Sequence, residues 1–250
     1  MDGFEKTSFN GAFDVYQRGR GPGVLLLPEL PGITPPVTAL ATRIAGEGFT
    51  VAIPHLFGPI APFSNLGAAK TFLQLCVRKE FALLASHRAS PITDTLRALS
   101  KQLHERCGGR GVGAIGLCMT GNFALTLMLD PWVLAPVVAH PGLPVPIGKR
   151  RKAGVHAAPE TLAVIRERGA EVLGLRFTHD PLCPRERFST LAAAFGDAFE
   201  VIEIDSGPQN THGFTTKSHS VLGRDRVDTP GHPTAAATER VLAFLRAKLR

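Results

Sequence analysis

A cysteine lies at the centre of the segment best suited to chemistry in this sequence. Cys118 belongs to the hexapeptide GLCMTG at 116–121, between an apolar run at 112–115 and a helix-compatible stretch at 122–129. This order predicts a strand, a sharp turn and a helix, with the thiol at the turn, an arrangement called a nucleophile elbow. Small neighbours at such a turn keep the side chain clear of both flanking elements. Such a turn is where a nucleophile would be exposed.

The hexapeptide differs from the usual Gly-x-Ser-x-Gly pattern at two places. Cys118 replaces serine, and Thr120 stands where the second glycine is expected, with Gly121 one residue later. Free cysteine is also often a small buried hydrophobic residue without a chemical role. The hexapeptide by itself therefore supports a nucleophile and an inert core thiol equally.

Two further residues could activate the thiol, which at an ordinary pKa of about 8.5 is only a few per cent ionised at neutral pH. Asp180 follows an apolar run at 171–177, and His212 follows another at 199–204. Both are expected in loops at the carboxyl ends of strands, the edge where Cys118 also lies. The chain order of nucleophile, acid and histidine fits a catalytic triad. We therefore predict that Cys118, Asp180 and His212 meet in one site.

The other histidines receive smaller roles. His55 and His140 are expected in the wall of the pocket, and His179 is set aside because adjacent residues on extended backbone face opposite ways. The remaining histidines are expected at the surface or in local hydrogen bonds; they are His87, His104, His156, His219 and His232. None forms a His-x-x-x-His pair, so no metal site is predicted.

The segment after the first central apolar run supplies the remaining parts of a site. Glu29 and Leu30 follow the run at 24–27, where an oxyanion loop would lie. The backbone N–H groups of Leu30 and Met119 are therefore the predicted oxyanion hole. Glu29 has two equally supported interpretations. It is either an exposed loop charge or a carboxylate beside the thiol, where it would hold the thiol neutral or accept its proton.

Short apolar runs alternate with longer amphipathic segments, which predicts an α/β fold with a mostly parallel central sheet and helices on both faces. An N-terminal hairpin at 4–17, turning at Asn10-Gly11, is expected at the sheet edge. A Pro/Gly-rich stretch at 141–154 is expected to be a loop. The predicted strands are 24–27, 50–53, 112–115, 133–139, 171–177 and 199–204. The predicted helices are 36–47, 68–87, 91–106, 120–129, 159–168, 184–196 and 233–249.

Composition limits the class of protein. The 250 residues are 44% hydrophobic and 20% charged, which fits one soluble domain over 1–250 without a membrane span. The net charge of +7 includes a basic cluster at 149–152, but one Trp and one Tyr argue against nucleic-acid binding. The acidic start MDGFEK is unlike an export signal, so a cytoplasmic location and four free cysteines are expected. Monomer and homodimer are left open.

Together these residues resemble the dienelactone hydrolases, a cysteine-dependent branch of the α/β-hydrolase fold without a separate cap domain. The matching segments are Glu29-Leu30-Pro31-Gly32, the elbow at Cys118, Asp180 and His212-Gly213-Phe214. The resemblance implies a hydrolase of small esters or lactones, like a carboxymethylenebutenolidase, that needs no cofactor. It implies that Cys118 is the nucleophile, His212 the general base and Asp180 its orienting acid. Glu29 would regulate the thiol.

The substrate is less well defined. Family members acting on dienelactone place an arginine shortly after the histidine, whereas Lys217 follows His212 here and provides only a point charge. Arg78 and Arg88 lie in the region of a second carboxylate-binding arginine, and His55 replaces a common aspartate. These residues are candidates for binding a small, anionic substrate. An alternative function is a non-catalytic or redox-sensing protein that retains the fold and a reactive thiol.

Overall fold

An eight-stranded sheet forms the centre of the computed structural model, which describes residues 1–77, 91–155 and 157–250. The order across the sheet is β1-β2-β4-β3-β5-β6-β7-β8. The pairs β1/β2 and β2/β4 are antiparallel, and all pairs from β4 to β8 are parallel. The strands are β1 (Glu5–Phe9), β2 (Phe13–Arg18), β3 (Gly23–Leu27), β4 (Thr50–Pro54), β5 (Val112–Leu117), β6 (Val133–Ala139), β7 (Val172–Phe177) and β8 (Phe199–Ile204). The predicted mostly parallel sheet is confirmed.

Helices cover both faces of this sheet. They are α1 (Pro35–Gly46), α2 (Asn65–Val77), α3 (Pro91–Cys107), α4 (Gly121–Leu127), α5 (Gly148–Ala153), α6 (Pro159–Glu167), α7 (Arg185–Phe195) and α8 (Pro233–Leu249). Val24 and Leu26 of β3 share a core with α1 and α8, whereas Leu25 and Leu27 share one with α3, α4, α6 and α7. Side chains alternate along a strand, so two apolar layers require the continuous apolar runs that the sequence shows.

Membrane-spanning helices, with the length and hydropathy that a bilayer demands, are absent from the described residues.

The N-terminal hairpin lies at the sheet edge, as predicted. Asn10 and Gly11 form its turn with φ values of 50° and 68°, and the N–H of Ala12 donates to the carbonyl of Phe9 at 2.9 Å. Asparagine and glycine adopt positive φ more readily than other residues, which explains the turn at this dipeptide. Pairing of β2 with β4 joins the hairpin to the sheet.

Two predicted elements differ in the structure. The stretch 141–154 is not entirely loop, because α5 occupies Gly148–Ala153 and carries the basic cluster on its exposed surface. Lysine and arginine are good helix formers, which allows this short helix among prolines and glycines. The helix predicted at 68–87 begins earlier, at Asn65; its later part lies outside the described residues.

Thr120 connects β5 to β3 where the chain leaves the sheet. Its buried hydroxyl accepts a hydrogen bond from the N–H of Leu117 at 2.9 Å. The same oxygen lies 3.0 Å from the carbonyl of Leu27 and 2.9 Å from that of Leu117, and its single proton can donate to one of them. A glycine at this position would leave the N–H of Leu117 without this partner. The departure from the usual elbow pattern thus has a structural reason.

We predict that Thr120→Val lowers the free energy of unfolding by about 1–3 kcal/mol, because valine leaves the buried N–H of Leu117 unsatisfied. Urea denaturation, compared by midpoint and slope, measures the effect. Thr120→Ser is the matched control, because it keeps the hydroxyl and removes only a methyl group. A serine variant less stable than the valine variant would contradict this role of the hydroxyl.

Candidate active site

The turn at Cys118 has the tight geometry that the hexapeptide predicts. Cys118 has a φ of 51° and begins a 3₁₀ turn, Cys118–Thr120, that leads directly into α4. Positive φ is strained for a residue with a Cβ and is frequent at functional sites. A Cβ at Gly116 would lie 2.3 Å from the carbonyl oxygen of Thr120, and one at Gly121 would lie 2.9 Å from Pro141. Glycine is therefore required on both sides of the turn.

Cys118 is buried, with 8% of the residue exposed. Gly142, which follows β6, lies against Cys118. Its N–H donates to the carbonyl of Cys118 at 3.0 Å, and a Cβ at Gly142 would lie 3.1 Å from the sulfur. The absence of a side chain at Gly142 therefore leaves space directly beside the sulfur.

His219 and Asp180 form a buried pair beside this thiol. Nδ1 of His219 lies 2.6 Å from Oδ2 of Asp180, and the other carboxylate oxygen accepts the N–H of Leu182 at 2.8 Å. Burial lowers the pKa of His219, but the charges of Cys118 and Asp180 and their hydrogen bonds outweigh burial and raise it well above its ordinary value. Nε2 of His219 has no well-aligned partner among the described residues, which leaves it available to the thiol.

The prediction that His212 meets Cys118 and Asp180 is wrong in this structure. His212 is exposed, and its ring lies 5.5 Å from that of His232. The chain after β8 runs through a long loop before it returns to the sheet edge, so distance in sequence from the strand did not indicate which histidine would reach the site. His219, expected at the surface, is 8% exposed and occupies the place assigned to His212.

The sequence did contain a signal for His219. His212 lies in a run rich in polar residues, glycine and proline at 205–213, whereas His219 precedes Val221 and Leu222, which are both fully buried. A turn between Thr215 and Ser218 brings this segment back, with the N–H of Ser218 donating to the carbonyl of Thr215 at 2.9 Å. Because these two apolar side chains are buried, the neighbouring histidine also lies in the interior.

Asp225 fixes the backbone of the histidine segment. Its Oδ2 accepts the N–H of His219 at 2.9 Å and that of Ser220 at 2.8 Å. Burial raises the pKa of Asp225, but these two backbone hydrogen bonds outweigh burial and lower it. An ionised Asp225 therefore holds His219 in position through the main chain.

Glu29 is buried inside the site, so its interpretation as an exposed loop charge is wrong. Its Oε2 lies 3.1 Å from Nε2 of His140, and the hydroxyl of Ser220 lies 2.6 and 2.8 Å from its two oxygens. Burial raises the pKa of Glu29, but the hydrogen bonds to His140 and Ser220 outweigh burial and lower it. The groups that hold this carboxylate are thus a histidine and a serine.

A buried guanidinium supports the wall of the site. Arg187 of α7 is fully buried, and burial lowers its pKa. Its donors reach the loop after β6 and the loop that contains Asp180, so the two loops are held together. Backbone carbonyls of five residues accept from it: Pro141, Pro144, Arg151, Gly154 and Leu182.

The other predicted site residues have varied positions. Nε2 of His55 lies 2.7 Å from the carbonyl of Gly58, and this ring stands 6.4 Å from that of Tyr16, in a pocket whose described lining lacks Cys118. Lys217 is exposed. Leu30 and Met119 lie directly after Glu29 and Cys118, at the ends of β3 and β5. Arg78 and Arg88 lie outside the described residues.

An arginine, Arg224, follows the buried histidine by five residues. Its guanidinium stands over the ring of Phe63, 4.6 Å from the centroid, and Nε lies 3.4 Å from Oδ1 of Asp225. The side chain is 40% exposed. The backbone N–H of Arg224 donates to the hydroxyl of Ser220 at 2.9 Å, and this hydroxyl also contacts the carboxylate of Glu29.

Within the described part of the chain, no three His, Cys, Asp or Glu side chains are grouped so that they could hold a metal ion. Cys107 and Cys183 are free thiols. Burial raises the pKa of Cys183 far above its ordinary range, so this thiol is not a nucleophile at neutral pH.

Comparison with solved structures identifies the fold. Among solved structures, a dienelactone hydrolase from Anabaena variabilis is 16% identical, with 99% of this chain and 100% of that chain covered and a TM-score of 0.62. A dienelactone hydrolase-like promiscuous phosphotriesterase from metagenomic libraries is 17% identical, with 99% and 98% covered and a TM-score of 0.62. At these identities the similarity shows the fold, which is that of an α/β hydrolase. No curated protein matches the sequence significantly.

The model of the dienelactone hydrolase family matches residues 12–249, which is nearly the whole sequence. This chain belongs to the dienelactone hydrolase family.

Proposed function

We propose that the protein hydrolyses small carboxylic esters or lactones, with Cys118 as nucleophile, His219 as general base and Asp180 as the residue that orients the imidazole. The observation that carries this proposal is the 2.6 Å contact between His219 and Asp180, beside a thiol held at positive φ. Asp180 fixes the tautomer of His219 and stabilises its protonated form, as in other triads. The base is thus oriented toward the nucleophile by a buried carboxylate.

In the first half-reaction, the proton of the Cys118 thiol passes to Nε2 of His219, and the sulfur attacks the carbonyl carbon of the substrate. The C–S bond forms and the carbonyl electrons move to oxygen. The N–H groups of Leu30 and Met119 would bind this oxyanion. When the intermediate collapses, the C–O bond breaks and the alkoxide takes the proton from His219. The product is a thioester, still tethered to the alcohol if the substrate was a lactone.

The second half-reaction regenerates the thiol. His219 accepts a proton from water as the water oxygen attacks the thioester carbonyl, and the C–S bond then breaks. The departing sulfur recovers the proton from His219, and the carboxylic acid is released. Every step uses side chains of this chain and water, so the mechanism proceeds without a cofactor.

We propose Arg224 as the group that binds an anionic substituent of the substrate. Its position five residues after His219 fits the family arrangement better than that of Lys217, which is exposed and precedes the histidine. A guanidinium can also bind a carboxylate through two parallel hydrogen bonds, whereas an ammonium cannot.

The alternative function, a redox-sensing or non-catalytic protein, was motivated by Thr120 and by the missing arginine. Thr120 forms hydrogen bonds that hold the elbow, and Arg224 follows the buried histidine, so both motivations are weaker. Transfer of one equivalent of acyl group without turnover, or a sulfenic acid on Cys118 without esterase activity, would favour this alternative.

We expect His219→Ala to lower kcat/KM for p-nitrophenyl acetate and simple enol-lactones by about a thousandfold or more, as does Cys118→Ala, because either change removes a member of a cooperative unit. His212→Ala is the matched control and should stay within about twofold of the wild type, because that ring is exposed. Full activity in the His219 variant, or an equal loss in the His212 variant, would refute the assignment of the base.

Gly142→Ala should block access to the thiol, because the new Cβ would lie 3.1 Å from the sulfur. We expect the rate of Cys118 alkylation by iodoacetamide to fall about tenfold or more, in parallel with hydrolysis. Gly46→Ala is the control, since a Cβ there meets nothing within 4 Å. An unchanged alkylation rate in a folded Gly142 variant would show that this wall does not limit access.

Arg224→Gln should raise KM for a lactone that carries a carboxylate by about 10–100-fold, the value of a charge-assisted pair, and should leave a neutral ester nearly unchanged. Lys217→Gln serves as the comparison and should leave KM unchanged for both substrates. Steady-state kinetics on the two substrates separates these effects. Equal effects on charged and neutral substrates, or a larger effect at Lys217, would contradict this role for Arg224.

A further inference from the structure

A second buried histidine–carboxylate pair lies against the proposed triad. His140 follows β6, is fully buried and has a φ of 38°; its Nε2 lies 3.1 Å from Oε2 of Glu29. The ring of His140 meets that of His219 edge to face, with centroids 4.8 Å apart and an angle of 77°. The triad described above uses neither His140 nor Glu29. A buried carboxylate, held by a histidine next to the base, therefore needs a role.

The hydrogen bonds define the protonation state of His140. Nδ1 is buried and has no partner among the described residues, so a proton on this atom would be an unsatisfied donor. Nε2 faces a carboxylate and is therefore the protonated nitrogen. Burial also lowers the pKa of His140, and together with the charge of His219 it outweighs the opposing effect of Glu29. His140 is thus a neutral donor, and it does not cancel the charge of Glu29.

Glu29 in consequence remains an anion. It accepts from Nε2 of His140 and from the hydroxyl of Ser220, the residue directly after His219. The Ser220 hydrogen bond therefore holds Glu29 close to the base, and the charge of His219 further lowers the pKa of Glu29. Gly223 provides the space for this carboxylate, since a Cβ there would lie 2.0 Å from Oε1. The pocket around Glu29 is therefore formed closely around an ionised group.

His219 lies among acidic groups. Asp180 approaches from the loop after β7, Glu29 from the loop after β3 and the Cys118 thiol from the elbow. Asp225 accepts its backbone N–H at 2.9 Å. Among the described residues, the cations on this side are Arg187, which interacts with Asp180 and Cys118, and Arg224, which pairs with Asp225. The second carboxylate thus adds to Asp180 in favouring a charged imidazole.

We propose that His140 is a positioning residue that holds Glu29 as a buried anion beside His219 and thereby stabilises an imidazolium–thiolate pair between His219 and Cys118 before substrate binds. In forming this pair, the proton of the thiol moves to Nε2 of His219, and no other bond changes. The proposal rests on the proposed function only in taking His219 as the partner of Cys118. It assigns Glu29 an electrostatic action through His219 instead of proton transfer with the thiol.

The test is the pH dependence of Cys118 alkylation by iodoacetamide, with the modified peptide identified by mass so that other thiols do not interfere. An ion pair keeps the thiolate populated below the ordinary thiol pKa of about 8.5, so the wild-type protein should react well at about pH 6.5. His140→Phe keeps a ring but removes the donor. We expect its inflection to rise by about one pH unit, with a rate about three- to fivefold lower at about pH 6.5 and the same rate above about pH 9.

Three further variants make the test specific. Glu29→Gln should show the same shift as His140→Phe, because both remove the buried negative charge. The double variant should shift no further than Glu29→Gln alone, because His140 acts through Glu29. His140→Gln, which retains an N–H donor, should restore much of the wild-type profile. If His140→Phe does not fold, His140→Leu, which also lacks a donor, takes its place.

An unchanged inflection in Glu29→Gln, or in folded His140→Phe, would overturn the proposal, as would additive shifts in the double variant. A loss of thermal stability with an unchanged profile would assign His140 a structural role only. Alkylation requires no turnover, so the outcome is separate from the proposed function. If Cys118→Ala retains hydrolysis while the alkylation profile still shifts as expected, the hydrolytic mechanism fails and the role of His140 stands.

Discussion

The hydrogen bond between His219 and Asp180 is the interaction on which the site depends, because it joins two loops that follow different strands. Asp180 lies just beyond β7, in a loop held by Arg187, whereas His219 lies far beyond β8 in a segment fixed by Asp225. A short contact between buried polar groups is favourable only when both groups are already positioned, since an unsatisfied buried charge is costly. The surrounding hydrogen bonds provide that positioning.

The same constraint explains the distribution of buried charge around the thiol. Asp180, Glu29 and Arg187 are all buried at the carboxyl edge of the sheet, where desolvation penalises each of them. Each is compensated by different donors or acceptors: His219 and a backbone N–H for Asp180, His140 and Ser220 for Glu29, and backbone carbonyls for Arg187. Because no two of them form a direct ion pair with each other, their charges remain available to the residues at the site. Such compensated charges are suited to electrostatic preorganisation.

Local sequence patterns were reliable where the structure depends on neighbouring residues. The apolar runs identified six strands. Five of them, β3 to β7, lie inside the sheet and need apolar residues at nearly every position because both of their faces are buried, whereas β8 lies at the edge. Asn10-Gly11 indicated the hairpin, and the glycines around Cys118 indicated the tight turn. The position of Asp180 at the sheet edge was predicted correctly, because it follows its strand closely and the sheet fixes where that strand ends. In these cases the determining interactions lie within a few residues along the chain.

The choice among histidines was different. The sequence alone predicted a tight turn at Cys118, an acid at the same sheet edge and a family resemblance, all of which follow from short-range patterns. Which histidine reaches the acid depended on the path of the 205–232 segment, and the burial of Val221 and Leu222 brought His219 inward and left His212 in solvent. The partners of Glu29, and so its burial, also depended on residues from three separate loops. Long loops are free to take many paths, and only the packing of the whole chain selects one of them.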